Sequence, residues 1–176
     1  MMDAMVLAAM AKWPDVPAVY GFLALDARGR WWLTGERVGN AALTDFLARN
    51  YALDTAGRAY VQNGPQQVFV ACARAPRVIR REAGAWRAAP DGVTGSVDAL
   101  WLTPEGELYA SFAGSLALID DRELLPLVDE LLPGWDGEAA GLPATVMLGG
   151  VELPLALAGH DALAARFGLQ LTPRGP

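Results

Sequence analysis

The sequence predicts an α+β fold of mostly antiparallel β-hairpins with three or four short helices. Three observations carry that reading. Glycine and proline total 31 of 176 residues and scatter as single turn signals, so the chain is cut into many short elements. Between them, short runs rich in apolar residues and strand formers are joined by tight-turn dipeptides. Apolar residues make up 53% and charged residues 19%, which excludes a disordered chain. A chain of this length buries roughly 70% of its unfolded surface and needs no staples. Residues 1–176 therefore read as a single domain.

The elements follow in order. Met1 to Ala11 is apolar, with Asp3 as its first charge and Lys12 behind it. It lacks the basic start of a signal peptide and the length of a membrane span. It reads as a short helix packed on the body and ended by Pro14. Val19 to Leu25 is a strand, Asp26-Ala27-Arg28-Gly29 a turn, and Arg30 to Thr34 the return strand. Asn40 caps a helix over roughly 41–50, with Leu43, Phe46 and Leu47 on one face. Ala59 to Gln62, the turn Asn63-Gly64 and Gln66 to Cys72 form a tight hairpin. Arg77 to Glu82 and Ala85 to Ala88 form another around Ala83-Gly84. Ala99 to Thr103 and Glu107 to Phe112 flank Pro104-Glu105-Gly106, and Ser115 to Ile119 adds a strand. Asp120 or Asp121 caps a helix over 122–132, in which Pro126 predicts a kink or a delayed start. Ala144 to Leu148 and Val151 to Leu157 pair around Gly149-Gly150, and a helix near 160–167 closes at Gly168.

The order hairpin, capped helix, tight hairpin occurs twice. Gly29 maps to Gly106 at an offset of 77, Leu43, Phe46 and Leu47 to Leu124, Leu127 and Val128 at 81, and Asn63-Gly64 to Gly149-Gly150 at 86. The offset grows only at loops, as insertions would make it. Residue identity between the halves is low, so internal duplication of 19–90 and 98–170 and chance resemblance both stay open.

Charge is divided unevenly. Residues 1–88 carry eleven basic and seven acidic groups, net +4; residues 89–176 carry three and thirteen, net −10. The basic excess concentrates in Arg74, Arg77, Arg80, Arg81 and Arg87, and the acidic excess runs from Asp120 to Glu138. One reading has the basic hairpin face the acidic helix, within the fold or across a homodimer. A second makes the arginines a site for phosphate or carboxylate, whose oxygens fit guanidinium forks, and a third leaves them as solvated surface without a role.

Reactive chemistry finds little purchase. One cysteine excludes an internal disulfide and a cysteine zinc cluster, and one histidine excludes histidine-rich metal sites. His160 and Asp161 are adjacent and do not face each other on a helix. No G-x-S-x-G, phosphate loop or calcium loop is present. Cys72 ends an alternating strand and reads as a buried, inert thiol. Trp31 and Trp32 point to opposite faces of one strand, so one can be core, leaving the other to cover a hydrophobic edge or line a groove. Basic residues with aromatics suit single-stranded nucleic acid, but the acidic balance of the whole chain opposes it.

Trp13-Pro14-Asp15-Val16-Pro17-Ala18-Val19-Tyr20-Gly21, the turn through Gly29-Arg30-Trp31, and Gln62-Asn63-Gly64-Pro65-Gln66 together resemble an uncharacterised proteobacterial family of unknown function. The resemblance spans nearly the whole chain. It implies a small cytoplasmic protein and carries over no catalytic residue.

The functional expectation is a small cytoplasmic, non-catalytic binding or protein-interaction module. Its candidate residues are Arg74, Arg77, Arg80, Arg81, Trp31 and Trp32. The partner is a protein or a small anionic ligand, with no nucleic acid, membrane, metal or cofactor. The alternative is an enzyme of unrecognised type acting on a small anionic substrate.

Overall fold

A computed structural model describes residues 2–176. Two mixed sheets are each built on the same plan. The first holds β1 (Val19–Leu25), β2 (Trp31–Leu33), β3 (Glu36–Arg37), β4 (Tyr51–Leu53), β5 (Ala59–Asn63) and β6 (Gln66–Cys72), in the order β3-β2-β1-β6-β5-β4. All neighbours are antiparallel except β1 and β6, where Leu23 stands beside Val70 and Leu25 beside Cys72. Helix α1 (Ala4–Lys12) precedes the sheet, and α2 (Ala41–Arg49) packs on one face of it. Asn40 caps α2 by accepting from the Leu43 amide. α1 turns Val6 inward and ties its start to Asn50, whose Oδ1 accepts from the Asp3 amide at 2.9 Å.

The second sheet holds β7 (Arg77–Glu82), β8 (Ala85–Ala89), β9 (Thr94–Gly95), β10 (Val97–Leu102), β11 (Leu108–Phe112), β12 (Ser115–Ile119), β13 (Thr145–Leu148) and β14 (Val151–Leu157). Its order is β13-β14-β10-β11-β12-β7-β8-β9, with β10–β14 and β12–β7 parallel. One residue separates β9 from β10 in the chain, yet they stand five places apart in the sheet. The sheet must therefore curl. It encloses a large core with Leu127 and Leu131 of α3 (Asp121–Leu131) on one side. On the other side, α4 (His160–Arg166) buries Leu163 against Trp101 and Tyr109.

The common plan is a meander, a capped helix and a hairpin whose last strand runs parallel to the first. Turn chemistry matches as well. The Asp26 amide donates to the Arg30 carbonyl and the Gly29 amide to the Asp26 carbonyl; Thr103, Glu107 and Gly106 repeat both bonds.

Several expectations shift by a residue or more. The β5–β6 loop is Gly64-Pro65, because Asn63 already pairs with Gln66. Gly64 and Gly149 then open their hairpins with the same φ of 57°, at an offset of 85. The helices align cap to cap, Asn40 with Asp120, at an offset of 80, which places buried Leu47 on buried Leu127. Pro126 does not delay the start of α3, which Asp120 caps; it sits in the second turn, where the Arg122 carbonyl goes without a helical amide donor. Strands β3, β4 and β9 have only two or three residues and are absent from the sequence reading. Among the described residues, no helix is long and apolar enough to cross a membrane.

Candidate functional site

The site begins with strand alternation on the β7–β8 hairpin. Ile79 and Arg81 point toward the main core and α3; Val78, Arg80 and Glu82 point to the opposite face. Ala83 (φ 50°) and Gly84 (φ 82°) form the turn, which fixes a register that sets Arg80 directly opposite Arg87. Two arginines are therefore cross-strand neighbours, with Arg80 reaching toward Glu123 and the Arg87 guanidinium lying over Gly92. Neither guanidinium makes a hydrogen bond among the described residues: Arg80 lies 4.0 Å from Glu123, and Arg87 lies 3.5 Å from Glu82.

The β1–β2 turn meets this face from the first sheet. Gly29 sits at φ 71°, and a Cβ there would come within 2.8 Å of the Ala89 Cβ, so only glycine permits the approach. The neighbouring Arg28 donates from Nε and Nη2 to both oxygens of Asp121, at 2.9 Å each. At the start of α3, Arg122 holds the buried carboxylate of Asp120 at 2.8 and 2.6 Å. Burial alone would raise the Asp120 pKa. The Arg122 donors and the Arg122 amide outweigh it and bring the carboxyl down to about 2.

Together these elements enclose a cleft of about 490 Å³. Arg28, Arg80, Arg81, Arg87 and Arg122 line it, against Asp120 and Glu82 as its only acids. The remaining lining is Val78, Ala88 and Ala89. Asp121, Glu123 and Glu130, which hold Arg28 and Arg81, lie outside the lining. Each of the lining arginines has a carboxylate within 4.0 Å, so the charge is near balance over the cleft as a whole, and what an anion can use is the donors that Arg80 and Arg87 leave unbonded. Those donors suit anion capture. Of the cleft's two acids, Asp120 has both oxygens engaged by Arg122, while Glu82 lies 3.5 Å from Arg87 with no hydrogen bond among the described residues.

Of the residues expected from sequence, Arg80 and Arg81 line the cleft and the others lie elsewhere. Arg81 leans on α3, bonding Glu130 at 2.6 Å and Glu123 at 3.4 Å. Arg74 pairs with Glu107 at 3.0 Å, and its carbonyl meets His160 Nε2 at 2.6 Å. Arg77 pairs with Asp91 at 2.8 Å in a largely buried contact. Trp31 is core, edge-on to Tyr51, while Trp32 lies on the opposite face and donates to Asp26. Neither tryptophan reaches the cleft. Sequence reasoning missed Arg28 and Arg122 as site residues altogether, and Arg87 stood in the basic cluster without being named among the candidate residues. Arg122 carried a signal, standing as the one basic residue between Asp91 and Arg166. Cys72 is buried, and loss of hydration pushes its thiol up to about 12. No group of three or more His, Cys, Asp or Glu side chains is placed to hold a metal among the described residues.

The family model DUF2944, described as "Protein of unknown function (DUF2946)", matches residues 2–174. No match emerged among functionally curated proteins. Two solved structures are similar, both DUF1285 family proteins. The one from Silicibacter pomeroyi DSS-3 has a TM-score of 0.53 at 16% identity, covering 88% of this chain and 96% of its own. The one from Shewanella baltica OS155 has a TM-score of 0.46 at 17% identity, covering 61% of this chain and 91% of its own. At such identity the Silicibacter likeness speaks to fold alone.

Proposed function

Since the chain belongs to the DUF2944 family, whose description gives no activity, we propose a function from its own cleft: a small cytoplasmic, non-catalytic module that binds an anionic ligand between its two sheets. The observation that carries this is the Arg80–Arg87 pair, opposite one another and with guanidiniums that have no hydrogen-bond partner among the described residues. Like charges directly opposite on paired strands cost about 0.2–1 kcal/mol, and a bound anion reverses that sign. The catalytic alternative shares the ligand class and would have to use Glu82 as its base, the lining carboxylate without a hydrogen bond among the described residues. A thermal-shift series with phosphate, sulfate and citrate tests the reading. Stabilisation of the wild type that disappears in R80Q/R87Q supports it; no stabilisation by any anion returns the cleft to solvated surface. The cytoplasmic placement is checked by cell fractionation.

We infer as well that the two sheets derive from one duplicated unit. The shared strand order, the parallel closing strand and the matching turn bonds support this. Sequence profiles built separately for the two halves should align with Leu23 on Leu100 and Leu47 on Leu127. Alignment in another register, or none, overturns the inference.

A further inference from the structure

We propose that the cleft selects a compact diphosphate, two linked phosphoryl groups with no base or sugar to be read. The proposal rests on the anion-binding reading above and specifies its ligand. Its first ground is what the lining lacks. Guanidiniums, two carboxylates, Val78 and two alanines line the cleft, without a single aromatic, amide or hydroxyl side chain. Nucleotides are held by stacking on aromatic faces and by donors and acceptors matched to base edges. None of that is present, so recognition rests on the guanidinium donors.

The second ground is the arrangement of free donors. A carboxylate presents two oxygens in one plane, which one guanidinium fork engages side by side, as Arg28 engages Asp121. A phosphoryl group has three acceptor oxygens and can take two forks at once. Arg80 and Arg87 line the cleft from opposite positions, each with Nε in a long ion pair and both Nη groups without a hydrogen-bond partner among the described residues. Arg28 and Arg122 each engage Nε and Nη2 with a carboxylate and keep Nη1 for a further acceptor. The hairpin pair thus takes one phosphoryl. The Nη1 groups of Arg28 and Arg122, brought in from the β1–β2 turn and the start of α3, take the second. A lone phosphate fills only the first position.

Isothermal titration of the full chain with orthophosphate, pyrophosphate and adenosine diphosphate, without divalent cations, tests this. Pyrophosphate should bind at least about tenfold more tightly than orthophosphate, and the nucleotide no more tightly than pyrophosphate. R80Q/R87Q should lose all three. R28Q should bring pyrophosphate down to the orthophosphate level while leaving orthophosphate unchanged. R74Q, altered outside the cleft, should match the wild type. Circular dichroism melts of each variant separate lost binding from lost fold. Equal affinity for orthophosphate and pyrophosphate, or a nucleotide preferred by more than about tenfold, overturns the diphosphate assignment and leaves the anion site standing. No binding by any of the three overturns both.

Discussion

Cys72 and Asp120 show opposite consequences of burial. Cys72 lies beside Leu25 on the buried face of the first sheet, and loss of hydration disfavours its thiolate. A thiol reagent at pH 8 should leave the native protein unlabelled and modify one cysteine per chain once it is unfolded in urea. The folded pKa of about 12 exceeds the ordinary 9.0, so the linked stability is complete below pH 9. It should fall as pH rises from there toward 12. Tyr51, buried nearby and also raised by desolvation, adds loss in the same direction. Asp120 has the reverse sign. Its folded pKa of about 2 lies below the ordinary 3.8, so its contribution is present above that value and is lost as pH falls toward 2. Asp120→Ala removes the α3 cap and leaves Arg122 without its carboxylate. Urea denaturation should show a loss of about 2 kcal/mol, largely the cap. The inert thiol was legible in sequence, because alternation along Val68 to Cys72 set its face. The role of Asp120 was legible only as a cap, since the arginine that charges it is seen in the fold.

At the scale of elements, turns carry the specification. Gly29 and Gly106 occupy the same place in the two β-meanders, at φ 71° and 85°. A Cβ at Gly106 meets nothing within 4 Å, whereas one at Gly29 meets Ala89 at 2.8 Å. Gly106→Ala should therefore cost only the left-handed backbone term, about 1 kcal/mol. Gly29→Ala should cost about 1–3 kcal/mol more, from the overpacked contact that joins the two sheets. Equal losses in chemical denaturation would show that the β1–β2 turn does not hold the sheets together. The same local chemistry made the hairpins and capped helices readable, because a turn glycine or a cap acts within four residues. It failed where elements were too short to show a period, as in β3, β4 and β9. It also slipped at β5–β6, where Pro65 moved the turn one residue past Asn63-Gly64. The three parallel pairings had no signal at all, since each is set by strands that local sequence does not connect.

For the whole molecule, the charge division resolves mainly into ion pairs across the two halves. Arg74, Arg77, Arg80 and Arg81 all lie within reach of carboxylates from residues 89–176. The pairing was legible as a sign imbalance; the cleft was not, because Arg28 and Arg122 come from distant segments, Arg28 brought to the hairpin by the Gly29–Ala89 contact and Arg122 by the β12–β7 pairing and the Asp120 amide on the Ile79 carbonyl. The two sides of the hairpin should therefore answer differently to neutralisation. On the α3 side, Arg81 bonds Glu130 and Glu123 while part-buried, and exposed pairs of this kind contribute about 0–1 kcal/mol each. On the cleft side, Arg80 and Arg87 repel each other and gain little from carboxylates at 4.0 and 3.5 Å. R81Q should lower unfolding free energy by about 1 kcal/mol, and 0.5 M salt should shrink the difference by screening the lost attraction. R80Q/R87Q should leave stability unchanged or raise it by a few tenths of a kcal/mol in low salt, and added salt should erase the gain by screening the repulsion in the wild type. Loss of stability in R80Q/R87Q as large as in R81Q would mean that the cleft arginines are structural, and a destabilised ligand-free variant is then the expected cost of removing them rather than a sign of a vacant anion site.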